Sequence, residues 1–136
     1  SKNQIIWGAN YFNCFNGKGG AIIWNKKQPL PDSSQCEIAS YSRLQKVGMY
    51  EQRWTNFVNT KKTNHPTEKP IELYNWLLKN YAQEGFKILD THLGSGSIAV
   101  ACHYSGFDLV ASELDKEYFD AAKKFIKDNT RQTSLF

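Results

Sequence analysis

The stretch from Pro70 to Asp128 constrains the fold most, because helical and strand periods alternate there with short connections. Pro70 sits where a helix begins, and its missing N–H costs nothing in a first turn. Ile71, Leu73, Tyr74, Leu77, Leu78 and Tyr81 follow at helical spacing, with Gly85 as the stop. Phe86–Leu89 reads as a compact strand, and Asp90-Thr91-His92-Leu93-Gly94-Ser95-Gly96 as a turn. Ser97–Tyr104 reads as a helix of small residues closed by Ser105-Gly106. Leu109–Ser112 is a second strand ending on Glu113, and Asp115 is placed to cap a last helix carrying Tyr118, Phe119, Ala122, Phe125 and Ile126. The tail from Asn129 is expected to fray. Helix and strand in this order, joined by short loops, predict an α/β fold with a parallel sheet and crossover helices. Ligands on such sheets bind beyond the carboxyl ends of the strands, which singles out Asp90–Gly96 and Ser112–Asp115.

The first third has a different texture. Gln4–Trp7, Ala21–Asn25 and Cys36–Tyr41 read as short strands, separated by turn clusters at Asn16–Gly20 and Lys26–Ser34. From Ser42 to Asn64 periodicity fades into an irregular excursion of polar, basic and aromatic residues. Residues 43–69 hold Arg43, Lys46, Arg53, Lys61, Lys62 and Lys69 against only Glu51 and Glu68, although the whole chain carries a net charge of just +4. Such a stretch suits a polyanion or an ordinary solvated loop. Cys14, Cys36 and Cys102 are too widely spaced for a CxxC site, and reduced thiols in a cytosolic compartment follow. His65, His92 and His103 share no metal-ligand spacing, so no metal site is expected. Trp7, Trp24 and Trp76 are assigned to the core. Apolar runs fall far short of the roughly 18 residues of a membrane span.

The glycine turn carries the chemistry. Gly94 and Gly96 let the backbone turn sharply and approach a ligand closely. Glu113, ending the next strand, is placed to accept hydrogen bonds from both hydroxyls of a ribose. Gly94-x-Gly96-x-x-Ala99 fits a dinucleotide fingerprint, which makes an NAD-dependent oxidoreductase fragment one reading. Against it, four residues separate the strand from the first glycine. Asp90 would also face the pyrophosphate that a helix N-terminus attracts. An acid suits a cationic cofactor such as S-adenosylmethionine, whose sulfonium or ammonium group Asp90 could neutralise.

His65-Pro66-Thr67-Glu68-Lys69-Pro70, an amphipathic helix, and then Ile88-Leu89-Asp90-Thr91-His92-Leu93-Gly94-Ser95-Gly96-Ser97 together resemble the amino-methylating DNA methyltransferases in their beta-type motif order. Upstream, Ile5–Phe12 and Ile22–Lys26 are similar to the later catalytic-half strands of small phage-type members. The resemblance covers nearly the whole chain. It implies a Rossmann-like S-adenosylmethionine-dependent methyltransferase sheet, circularly permuted, with residues 1–136 as a single partial domain and 65–128 as its cofactor-binding half. Carried over residue by residue, the cofactor positions are His65, Pro66, Thr67, Lys69, Asp90, Thr91, Leu93, Gly94, Ser95, Gly96 and Glu113. The usual loop reads Asp-Pro-Phe-x-Gly-Ser-Gly-Thr; Thr91 and His92 replace its Pro-Phe pair, and Ser97 its Thr. Residues 43–64 stand where a short target-recognition segment would lie, giving Arg53, Trp54, Lys61 and Lys62 as DNA contacts. Double-stranded DNA is the implied partner, a homodimer is compatible, and the cytoplasm of a bacterial or phage-infected cell is the implied place.

The family's chemistry is transfer of a methyl group to an exocyclic base amine, with adenine-N6 favoured over cytosine-N4. It depends on an Asp/Asn/Ser-Pro-Pro-aromatic tetrapeptide. Pro29, Pro31, Pro66 and Pro70 are the prolines of this sequence, and none adjoins another. No catalytic residue is therefore assigned. The chain is expected to be a truncated portion without the central strand that carries that motif, inactive by itself. A degenerate, non-catalytic DNA-binding remnant is the remaining reading.

Overall fold

The computed structural model describes residues 3–15, 19–27, 31, 34–43, 45–53 and 68–131. The chain divides into two compact units, Ser1–Val58 and Asn59–Phe136.

In the first unit, β1 (Ile5–Trp7), β2 (Gly20–Asn25), β3 (Cys36–Tyr41) and β4 (Val47–Glu51) form one sheet in the order β1-β3-β2-β4. β3 runs antiparallel to both β1 and β2, while β2 and β4 are parallel. Strand period decides the packing of β2: Gly20, Ile22 and Trp24 are buried on one face, and the intervening residues are half-buried on the other. The buried indole is not left polar, because Trp24 Nε1 donates to the Gln52 carbonyl at 3.1 Å. Two elements here were not anticipated. The short helix α1 (Ala9–Phe12) follows β1 directly, and β4 lies inside the segment read as irregular. β4 hides its identity because its exposed side carries Val47 and Met49, 62% and 57% exposed, while Gly48 and Tyr50 are half-buried. An apolar/polar alternation cannot be read from a strand built in reverse.

In the second unit, α2 (Ile71–Tyr81), β5 (Lys87–Asp90), α3 (Ser97–Ser105), β6 (Asp108–Ala111) and α4 (Lys116–Thr130) follow the expected order. β5 and β6 pair in parallel, with Lys87 opposite Asp108 and Asp90 opposite Ala111. Leu78, Ala101 and Cys102 form a buried cluster, packed about by Ile71, Tyr74, Ala82, Ile88, Ile98, Phe107 and Leu109. Small residues on α3 let α2 approach it closely, and Ile88 and Leu109 close the cluster from the sheet. On the opposite face of these strands Leu89 and Val110 remain 64% and 69% exposed. α2 ends at Tyr81, before the turn that holds Gly85 at φ 81°. α4 starts as expected, the Asp115 carboxylate accepting from the N–H groups of Glu117 and Tyr118 at 2.9 and 3.0 Å. It continues through Thr130 instead of fraying at Asn129, whose side-chain amide donates back to the Phe125 carbonyl at 2.8 Å. Of the tryptophans assigned to the core, Trp24 is buried, whereas Trp7 and Trp76 are half-buried.

All three cysteines are free thiols. Burial pushes the Cys102 thiol up to about 11, with the Asp90 carboxylate adding to the effect. Thiolate is the reactive form, so Cys102 is expected to resist alkylation by iodoacetamide at pH 8 in the native protein. Cys14 and Cys36 are expected to react first, and Cys102 only after denaturation, as followed by peptide mass spectrometry.

Candidate cofactor site

The parallel register brings Asp90 and the residues after Ala111 to the same end of the two-stranded sheet. From there the two following loops are sewn together by backbone hydrogen bonds. Ser112 N–H donates to the Asp90 carbonyl at 2.9 Å, and Leu93 N–H donates to the Ser112 carbonyl at 2.9 Å. The Ser112 hydroxyl adds a bond to the Thr91 carbonyl at 3.2 Å. Ser112 falls in one of the two loops the sequence singles out, but no role was assigned to it. Its position, last before the strand-ending acid, is the signal that could have found it.

Glu113 finishes the assembly. One carboxylate oxygen accepts the Gly94 N–H at 2.9 Å, and the other accepts the Asp115 N–H at 3.1 Å. The acid read as a ribose acceptor thus also holds the glycine turn in place. A carboxylate offers roughly four acceptor directions, so two backbone donors do not exhaust it. Asp90 is used locally as well: its Oδ1 accepts the His92 N–H at 2.9 Å, and the Thr91 hydroxyl lies 2.9 Å from His92 Nδ1. Thr91 and His92 are exposed and Leu93 is buried, so the loop is anchored by its leucine.

Both glycines adopt the left-handed region, Gly94 at φ 56° and Gly96 at φ 87°. Gly96 has a second reason for lacking a side chain. A Cβ there would lie 3.0 Å from Ile126 Cγ1 and 3.4 Å from Ala122 Cβ, both on α4. The close approach anticipated toward a ligand is, at this residue, an approach to a neighbouring helix. Ser95 and Ser97 pair through their hydroxyls at 3.0 Å, and Ser97 is buried.

Asp90, Thr91, Leu93, Gly94, Ser95, Gly96 and Glu113 are therefore brought together. Lys69 is half-buried just ahead of Pro70. Beside it burial raises the Glu68 carboxyl above its usual range. His65, Pro66 and Thr67 lie outside the described residues, as do the DNA-contact candidates Trp54, Lys61 and Lys62. Arg53 is exposed, immediately past β4. Among the described residues no cluster of His, Cys, Asp and Glu could hold a metal ion. Nor is any helix there long and apolar enough to cross a membrane.

The family model N6_N4_Mtase, DNA methylase, matches residues 23–124. The chain belongs to this family. It is 29% identical over 136 residues to the type II methyltransferase M2.DpnII of Streptococcus pneumoniae, a match covering 90% of this chain and 49% of that protein. With M.HpaI of Haemophilus parainfluenzae it shares 29% identity over 76 residues, covering 56% of this chain and 24% of the relative. The chain spans about half the length of M2.DpnII, and less of M.HpaI. Among solved structures, the M1.HpyAVI–SAM complex superposes with a TM-score of 0.64 at 24% identity, over 78% of this chain and 60% of that one. A putative DNA modification methylase from Thermus thermophilus, complexed with S-adenosyl-L-methionine, gives a TM-score of 0.54 at 20% identity. The match covers 80% of this chain and 52% of that one. The Rossmann-like methyltransferase fold is shared.

Gly96→Ala combines a strained backbone with a collision on α4. It is expected to destabilise the second unit by about 2–4 kcal/mol, read as a lower midpoint in urea unfolding. Glu113→Ala strands the Gly94 and Asp115 N–H groups and is expected to cost about 1–3 kcal/mol, measured the same way.

Proposed function

We propose that these residues form the cofactor-binding part of a site-specific DNA methyltransferase that uses S-adenosylmethionine and acts on an exocyclic amine, adenine-N6. The observation that carries this reading is the Asp90–Gly96 turn tied to Glu113 through the Gly94 N–H at 2.9 Å, at the shared carboxyl end of two parallel strands. In this reading Glu113 takes the ribose hydroxyls, while the Gly94–Gly96 backbone lies against the nucleoside. Asp90 opposes the cofactor's positive charge. His65, Pro66, Thr67 and Lys69 complete the pocket from the segment before α2. When bound, the cofactor supplies a methyl group activated by its sulfonium. The family resemblance as a whole leans towards adenine. Duplex DNA is the substrate, with Arg53, Trp54, Lys61 and Lys62 meeting it, in the cytoplasm of a bacterial or phage-infected cell.

Base chemistry requires groups beyond this site. The sequence has no Asp/Asn/Ser-Pro-Pro-aromatic tetrapeptide to hold a flipped base by its amine. The 136 residues alone are therefore assigned cofactor and DNA binding without methyl transfer.

Calorimetric titration tests the assignment. S-adenosylhomocysteine is expected to bind the 136-residue protein, NADH is not, and Glu113→Ala is expected to weaken binding at least tenfold. Binding of NADH in preference would overturn the reading in favour of a dinucleotide enzyme. Incubation with radiolabelled S-adenosylmethionine and unmodified duplex should leave the DNA unlabelled, and label in the DNA would refute the inactivity. Nucleosides from DNA modified by an enzyme containing this chain should yield N6-methyladenine, not N4-methylcytosine, by mass spectrometry.

A further inference from the structure

Residues 43–64 carry Arg43, Lys46, Arg53, Lys61 and Lys62, and Glu51 is their only acid. The structure shows where that acid is used. Glu51 ends β4, opposite Asn25 in the parallel register with β2, so both strands deliver their exits to the same end of the sheet. Lys26 and Lys27 leave β2 there, and Gln52 and Arg53 leave β4, with the Gln52 N–H donating to the Asn25 carbonyl at 3.1 Å.

Asn25 is the hub of the arrangement. Its Oδ1 accepts the Lys27 N–H at 3.0 Å, and its Nδ2 donates to Glu51 Oε1 at 3.3 Å. This turn holds Lys27 at φ 50°, a left-handed conformation that a lysine rarely adopts. From there the ammonium reaches the second oxygen, Glu51 Oε2, at 2.7 Å. Each carboxylate oxygen therefore meets a donor from the exit of β2. The hydrogen bond and charge of Lys27 hold the Glu51 carboxyl below its usual range.

The two lysines of this exit differ in setting. Lys26 pairs with Glu37 at 2.8 Å, but its side chain is only 16% exposed and lies over the Trp24 ring, 5.4 Å from the centroid. Lys27 is 54% and Glu51 41% exposed, a pair open to solvent and to other ions. Such a pair adds little net stability and is screened by salt. A phosphodiester oxygen offers an ammonium the same charge-assisted hydrogen bond as a carboxylate. Lys27 can thus pass from one anion to another while Asn25 keeps its turn in shape.

We propose that Lys27 is a contact for a DNA phosphate, and that the Glu51 carboxylate occupies that phosphate's place until DNA displaces it. The inference rests on the DNA-methyltransferase reading above, in which Arg53, two residues past Glu51, meets the duplex. Exchanging one anion for another gains less than capturing a phosphate with an unpaired lysine. Glu51 thereby weakens attachment to DNA of any sequence, for which phosphate contacts supply essentially all of the affinity. Choice of sequence is left to groups that reach the bases.

The test is fluorescence anisotropy of a labelled duplex of arbitrary sequence, titrated with the 136-residue protein across a salt series. Wild type is expected to bind, and to bind less as salt rises. Glu51→Gln, which keeps an oxygen for the Asn25 amide, should tighten binding about 3- to 10-fold. It should also steepen the salt dependence by about one phosphate contact. Lys27→Gln should weaken binding, and adding Glu51→Gln to it should change affinity by less than about twofold. Lys27→Arg, which keeps the cation, should preserve the response to Glu51→Gln. Circular dichroism checks that each variant remains folded. Glu51→Gln that binds no more tightly than wild type would overturn the inference and leave the DNA-binding reading standing. An equal gain with and without Lys27 would also overturn it, since Glu51 would then repel DNA without guarding a site. Failure of both wild type and Glu51→Gln to bind would overturn the DNA-binding reading and this inference together.

Discussion

The N–H groups of Gly94 and Asp115 converge on the carboxylate of Glu113, and the loops at the carboxyl end of β5 and β6 are organised around that convergence. A strand that turns sharply into a helix leaves backbone donors without partners. Water could satisfy them, but water leaves the turn soft. A carboxylate fixed at the end of the next strand satisfies them and sets the turn at the same time. The parallel register of β5 and β6 makes this feasible, since it brings Asp90 level with Ala111 and leaves Glu113 two residues past the strand end. Ser112, bonding to Asp90, Thr91 and Leu93, closes the gap between the loops. The acid proposed to take the ribose is, in this arrangement, also the residue that builds the loop.

Much of the second unit could be read from its residues because each local choice agrees with the global one. Pro70 opens a helix, Asp115 caps another, Gly106 ends a third, and the apolar positions of α2 recur at helical spacing. The first unit was less legible. α1 is a single turn between two positive-φ residues, Gly8 and Asn13, too short for periodicity to register. β4 turns Val47 and Met49 to solvent, so its pattern runs against the expectation that apolar side chains mark the buried face. Within the site, Asp90, the glycines and Glu113 were legible as residue types in order. Ser112 was legible as part of a loop but not by its role, because its contribution is mostly backbone, and a backbone bond leaves no trace in residue identity.

Gly96 illustrates how one residue can be identified for an incomplete reason. Its placement between strand and helix points to a ligand approaching the chain. Its positive φ agrees with that, yet the space a Cβ would need is occupied by Ala122 and Ile126 of α4. The loop's shape and the docking of the last helix are consequently a single packing problem. The fit to α4 describes what keeps the loop in shape, whatever the loop binds.

That fit has a consequence for the order in which the protein acquires its structure. Strand β5 and the glycine turn leave the ribosome well before α4 does. The turn cannot reach its final packing until Ala122 and Ile126 arrive, so for an interval of synthesis the nascent chain carries the complete motif in an unfinished shape. The final shape of the turn is then gained late, when the last helix docks.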